Sequence, residues 1–266
     1  MPRLSDLVDL LHGWYPPASA DDWDAVGLVY GDPDADVSKV MFAVDPAPEV
    51  AREAAEWGAD LLVVHHPLFL AAVSSVAATT PKGRTLHALT SGGCALLTAH
   101  TNADQAESGV SESLALALGL RDLTPIRPAG TGTTTGTGRI GTVEETSLEQ
   151  FAAHVAEVLP ATAHGVRVAG DRERPVRRVA VCGGAGDFLL DELAGSDIDV
   201  FVTSDLRHHR AGEFLEHGGT ALVDVAHWAA EWTWLPVVEG RLGASLGDRV
   251  ETRVSTQCTD PWTFRH

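Results

Sequence analysis

The residues of this chain whose types and spacing could do chemistry fall in three short segments. These are His65-His66-Pro67-Leu68-Phe69, His100-Thr101-Asn102-Ala103-Asp104 and His227-Trp228-Ala229-Ala230-Glu231. His65, His66 and His227 with Asp104 and Glu231 make three imidazoles and two carboxylates, with His100 in reserve. That is the donor set of a two-metal site with open positions rather than of a closed structural zinc. Neutral imidazole suits zinc, iron, nickel and cobalt, and carboxylates add hardness and can bridge two ions. Two ions roughly 3.5–4 Å apart need such a bridge against their mutual repulsion. Asp104 and Glu231 are the natural candidates for it. Mixed His/carboxylate ligation without cysteine is compatible with Zn, Fe, Mn, Co or Ni.

These donors need elements to position them, and each group follows an apolar run of strand type. Leu61-Leu62-Val63-Val64 precedes His65, Ala95-Leu96-Leu97-Thr98-Ala99 precedes His100, and Thr220 to Ala226 precedes His227. Open α/β sheets place their sites at such strand ends. Adjacent side chains on a regular strand face opposite ways, so His65 and His66 can serve one site only if the chain leaves the sheet there. Pro67 supports that exit, since it restricts His66 and cannot donate to a ladder. His227 and Glu231 are four apart, so a helix puts both on one face. Taken singly, a His-His pair is an ordinary polar strand end and a helical His/Glu pair an ordinary ion pair. Three such groups at three apolar strand ends are a joint signal for a metal centre.

The rest of the chain sets bounds. It has 266 residues, 44% hydrophobic and 21% charged, and a formal net charge of −18. Such a charge argues against non-specific binding to nucleic acid or anionic membranes, both of which need positive patches. The cations near motif segments are Lys82, Arg84, Arg139, Arg207 and Arg210. Cys94, Cys182 and Cys258 are far apart with no Cys-x-x-Cys spacing, which fits reduced thiols. No hydrophobic signal core is read at the start, and no apolar run approaches membrane-span length. The expectation is a cytoplasmic protein, with no membrane and no nucleic-acid partner.

Helices are expected over 4–13 (capped by Ser5), 47–57, 82–91, 147–159, 187–194 and 210–217. Strands are expected near 27–31, 40–45, 60–64, 94–99, 179–184, 198–203 and 220–225. This is the rhythm of parallel α/β structure. Residues 121–138, with Pro125, Pro128 and the run Gly130 to Gly138, read as a flexible connection between domains; the run lacks a P-loop pattern. Each half of the chain repeats one order: strand, helix, strand, His-His, helix, Gly-Gly, strand, His. That order suggests an old duplication. The expected architecture is α/β: two similar α/β lobes with a dinuclear metal site in the cleft between them. The first lobe comprises 1–125 plus 236–266, and the second 126–235.

The three segments, in this order, resemble the GTP cyclohydrolase I type 2 homologues, also described as Ngg-interacting-factor-three-like proteins. Further matches are Trp23-Asp24-Ala25-Val26-Gly27-Leu28, Gly136-x-Gly138-Arg139-x-Gly141, Cys182-Gly183-Gly184-Ala185-Gly186 and Thr203 to His209. The resemblance covers nearly the whole chain. It implies two divalent metal ions per chain and a toroidal homohexamer. His65 and His66 would ligate the two ions, Asp104 the first and His227 the second, with Glu231 bridging and His100 standing behind the ligands. Two departures stand out: Thr203-Ser204-Asp205 replaces the family's Thr-Gly-Glu, and bulky Trp228 adjoins His227. A large insert that some members carry between lobes is absent, its place taken by the Gly/Thr run.

The implied reaction is metal-assisted hydrolysis of a small molecule, in the named case attack of water on C8 of GTP and opening of the imidazole ring. Candidate catalytic or supporting residues are Glu231, His100, Asp205, His208 and His209. The alternatives are a metal-dependent phosphoesterase or amidohydrolase acting on another small substrate, and a non-catalytic metal-binding regulatory hexamer.

Overall fold

A computed structural model describes the whole chain, Met1 to His266. The fold class is α/β, as expected. The chain forms two compact units: Met1–Ala106 with Leu235–Thr259, and Glu107–Trp234 with Asp260–His266.

The first unit opens with α1 (Leu4–Trp14), which buries Leu4, Leu7 and Leu11 along one face. Its cap is Arg3 rather than Ser5, because the Asp6 carboxylate accepts the Arg3 backbone N–H at 2.8 Å. Then follow β1 (Gly27–Tyr30), β2 (Lys39–Ala43), α2 (Pro48–Trp57), β3 (Leu61–Val64), α3 (Pro81–Gly92), β4 (Ala95–Thr98) and the short α4 (Thr101–Gln105). The strands β2, β3 and β4 pair in parallel, and β1 joins the free side of β4 antiparallel. All four residues of β3 and of β4 are buried, which is why both read as unbroken apolar runs.

The second unit begins with α5 (Val110–Ala117), β5 (Arg121–Thr124), β6 (Arg127–Pro128), β7 (Gly136–Thr137) and β8 (Arg139–Ser147). It continues with α6 (Leu148–Val158), β9 (Val166–Ala169), β10 (Pro175–Ala185), α7 (Leu190–Leu193), β11 (Val200–Ser204), α8 (His208–Glu216), β12 (Ala221–Val225) and α9 (His227–Trp232). Its sheet runs β5-β8-β10-β11-β12-β9. β6 and β7 pair antiparallel as a separate two-stranded sheet, so the Gly/Thr run is a hairpin loop inside this unit, not a connection between units. The buried Arg139 guanidinium organises its base, donating to Gly136 O at 2.7 Å and Gly138 O at 2.8 Å. The first crossing between units also falls earlier than composition suggests, because β5 is built into this sheet through β8.

The chain then returns to the first unit as α10 (Leu235–Leu246) and β13 (Glu251–Val254). β13 adds in parallel to the outer side of β2, completing the order β1-β4-β3-β2-β13. The two sheets share a plan. In each, three parallel strands follow one another in space, and the strand before the first of them (β1 or β9) pairs antiparallel with the last (β4 or β12). No helix is long and apolar enough to cross a membrane.

Candidate metal centre

In the first unit, β3 and β4 lie side by side with Val64 opposite Thr98, so their exits deliver His65, His66 and His100 to one place. The ladder ends there: both His65 N–H and His66 N–H donate back to Val44 O. The ring centroids of His65 lie 5.0 Å from those of both His66 and His100, and His66 and His100 are 5.5 Å apart. Each of the three offers a ligand atom within 4.8 Å of the others. Asp104, one turn beyond His100 on α4, places Oδ1 3.6 Å from His65 Nε2. His100 thus stands among the donors, although the resemblance put it behind them.

The imidazoles are fixed by their other nitrogen. His65 Nδ1 meets Ala99 O at 3.0 Å, His66 Nδ1 meets Asp45 Oδ1 at 2.7 Å, and His100 Nδ1 meets Asp24 Oδ1 at 2.8 Å. A carbonyl or carboxylate oxygen can only accept, so each neutral ring carries its proton on Nδ1 and its lone pair on Nε2. That is the arrangement of a metal-ligating histidine. Burial pushes the His100 pKa down to about 4, with the neighbouring His65 charge adding and Asp24 opposing. His100 is therefore neutral at pH 7, as a ligand must be. The Asp24 side chain is fully buried. Burial opposes its charge, yet hydrogen bonds from Thr101 and His100 outweigh that and hold its pKa below the usual range.

In the second unit, α9 starts at His227, two residues past β12, and its first turn brings Glu231 Oε1 to 2.8 Å from His227 Nε2. His227 Nδ1 meets Asp205 Oδ2 at 2.6 Å, the same kind of contact, although here Nε2 also faces a carboxylate oxygen, that of Glu231. Asp205 follows β11 directly in a left-handed conformation (φ 57°). The His227 hydrogen bond lowers its pKa, against the effect of partial burial. Buried Asp224 steadies this turn: it accepts the Leu206 N–H at 3.0 Å and pairs with Arg167 and His164. Above the donor pair lies Gly184. A Cβ there would sit 2.6 Å from Glu231 Oε1 and 3.2 Å from His227 Nε2. Its φ of +69° is one that L side chains rarely adopt. Thr203 Oγ1 holds the loop by donating to Gly184 O at 2.9 Å. The donor set, the fixed tautomers and the space kept clear by a glycine all fit a divalent cation.

The other sequence candidates are placed differently. His208 and His209 open α8 as exposed residues and pack edge to face on each other, 5.2 Å between centroids. They are a helix start, not a strand exit. Arg139 is buried against Glu112, and Arg207 and Arg210 pair with Asp187 and Asp191. Sequence reading missed Asp24 and Asp45 as supports of the imidazoles. Asp24 lay in plain view within the Trp23 to Leu28 segment, but its partner His100 is 76 residues away.

A family model described as Duf34/NIF3 (NGG1p interacting factor 3) matches residues 2–261. The chain belongs to the DUF34/NIF3 family. Among curated relatives, a "GTP cyclohydrolase 1 type 2 homolog" from Streptomyces coelicolor is 47% identical, covering 99% of this chain and 94% of that protein. One of the same name from Mycobacterium tuberculosis is 35% identical over 371 aligned positions, with 99% and 97% coverage. That alignment is far longer than this chain, so the mycobacterial relative carries a long insertion that is missing here. Among solved structures, the Bacillus cereus protein related to NIF3 shares the fold with a TM-score of 0.90 at 24% identity, covering 99% of both chains.

Proposed function

We propose that this family member is a dinuclear, divalent-metal-dependent hydrolase of a small molecule, with ring opening of GTP as the first reaction to test. The observation that carries the reading is the four imidazoles whose Nδ1 atoms are all tied to oxygen acceptors. Such tethering is what ligation requires of an imidazole. The names of the curated relatives support the choice of GTP.

In this reading His65, His66 and Asp104, joined by His100, are one half of the ligand set, and His227 and Glu231 the other. A bound dinuclear centre would supply Lewis acidity and acidify water near neutral pH. The chain's own residues hold the rings in one tautomer through Asp24, Asp45, Asp205 and the Ala99 carbonyl. Glu231, buried and one helical turn from His227, is the carboxylate placed to take or return a proton. Gly184 leaves room beside both donor atoms for the reacting group. With GTP, water adding at C8 of the guanine ring opens the five-membered ring. We further propose a homohexamer, on the family resemblance, checked by the mass of the assembly in solution.

The experiment is to load the full chain separately with Zn, Mn, Fe, Co or Ni, measure ions per chain, and incubate with GTP. Two ions per chain and a metal-dependent loss of the purine absorbance support the proposal. Turnover that survives Glu231→Gln unchanged removes Glu231 from the chemistry. Two bound ions with no ring-opened product under any metal overturns the GTP assignment while leaving the metal centre.

A further inference from the structure

Trp23 is 59% exposed, whereas Tyr15, Trp228 and Trp234 are buried. It stands beside the donor set: its ring centroid lies 5.8 Å from that of His100, with the two planes at 81°. The segment bearing it is held firmly. Asp24 N–H donates to Asp21 O at 2.9 Å, closing a turn around Trp23. Asp21 N–H donates to Thr101 Oγ1 at 2.9 Å, and Thr101 donates from both backbone and hydroxyl to Asp24 Oδ2. The turn is thereby bolted to α4, the helix that carries Asp104. A rigid turn that presents an indole to solvent beside candidate ligands has the form of a recognition surface, since an aromatic face takes flat rings by stacking.

We propose that Trp23 is the stacking platform for a planar heteroaromatic ring of purine size, and so sets the specificity of the site in the first unit. Charge fixes which end of the substrate it receives. Asp21 and Asp22, both exposed, immediately precede Trp23 in the turn, so a phosphate is repelled here and the ring end is admitted. Trp23 is a binding residue and takes no proton. The proposal rests on the metal-dependent reading above, and the test separates the two.

Metal-loaded full-length protein, Trp23→Ala and Trp23→Phe are compared for ions per chain and, by titration calorimetry, for binding of guanosine and of tripolyphosphate. Guanosine supplies the ring without phosphates; tripolyphosphate supplies the charge without a ring. Trp23→Ala should keep its metal and its tripolyphosphate affinity and lose roughly 5- to 150-fold in guanosine affinity. Trp23→Phe should recover most of that loss. Unchanged guanosine binding in Trp23→Ala, failure of the parent protein to bind guanosine, or equal losses for both probes would each overturn the stacking role. Loss of metal from the parent itself would instead overturn the metal-centre reading.

Discussion

The two units place the same motif in the same slot and support it in opposite ways. In the first, His100 follows β4 by two residues and Asp104 comes four residues later; in the second, His227 follows β12 by two and Glu231 comes four later. β4 and β12 hold equivalent places in their sheets. Yet His100 leans on Asp24, whose side chain is fully buried and saturated with hydrogen bonds, and it is joined by His65 and His66. His227 leans on Asp205, whose side chain is 57% exposed. The first unit secures its donors by rigidity, and the second by leaving space at Gly184. The same motif stands as a fixed half in one unit and as an open half in the other.

The comparison can be broken at its strongest point, the ligands. Asp104→Ala and His227→Ala should each lower the metal content below two ions per chain, by mass spectrometry of the purified proteins. If both variants still carry two ions, neither motif is a ligand pair and the parallel fails. Next in size is Asp24→Ala. It strands the buried Thr101 N–H and His100 Nδ1–H without their acceptor, at a cost of about 3 kcal/mol in urea unfolding. A change below about 1 kcal/mol would mean that the first half is not held by Asp24. The second half should respond in affinity more than in stability. Asp205→Ala is expected to weaken metal binding roughly 10- to 100-fold, and Gly184→Ala to exclude the ligand by filling the space over Glu231. Equal unfolding losses in Asp205→Ala and Asp24→Ala would erase the fixed-versus-open distinction.

The smallest effect concerns thiols. Burial, reinforced by the Asp60 charge, pushes the Cys94 pKa up to about 12 from 9.0. An unfolded thiol ionises near 9, so the stability from keeping Cys94 protonated is complete below pH 9 and is lost as pH rises towards 12. Cys94 in the first unit and Cys182 in the second are both buried, while Cys258 is exposed. Iodoacetamide at pH 8 should therefore modify one cysteine in the native protein and three after denaturation. Labelling of Cys182 but not Cys94 would show that the second unit opens more readily.

The parallel strands were legible because strands buried on both faces leave unbroken apolar runs, as at Leu61–Val64 and Ala221–Val225. The donor segments were legible because strand exits concentrate them. Other elements were hidden by composition. β7 and β8 sit in and after a Gly/Thr run that reads as a connection, yet β7 pairs with β6 and the buried Arg139 guanidinium braces the base of that hairpin. α10 carries Pro236 in its first turn, where no intrahelical N–H bond is lost. Asp24 and Asp45 were missed because side-chain partners across the chain leave no local pattern. Their signal is geometric: the nitrogen each histidine does not offer to a metal.

The placement of β13 has a consequence for how the chain assembles. Ser255 N–H donates to Phe42 O at 2.8 Å, and its hydroxyl donates to Glu53, 202 residues back. On a ribosome, the second unit has all its strands before the first can close its sheet. Until then, β2 keeps an open edge of Val40, Met41 and Phe42, among the most buried residues of the finished protein. An apolar strand edge left waiting is a template for pairing with another chain. The last strand made is thus the one that withdraws this molecule from aggregation.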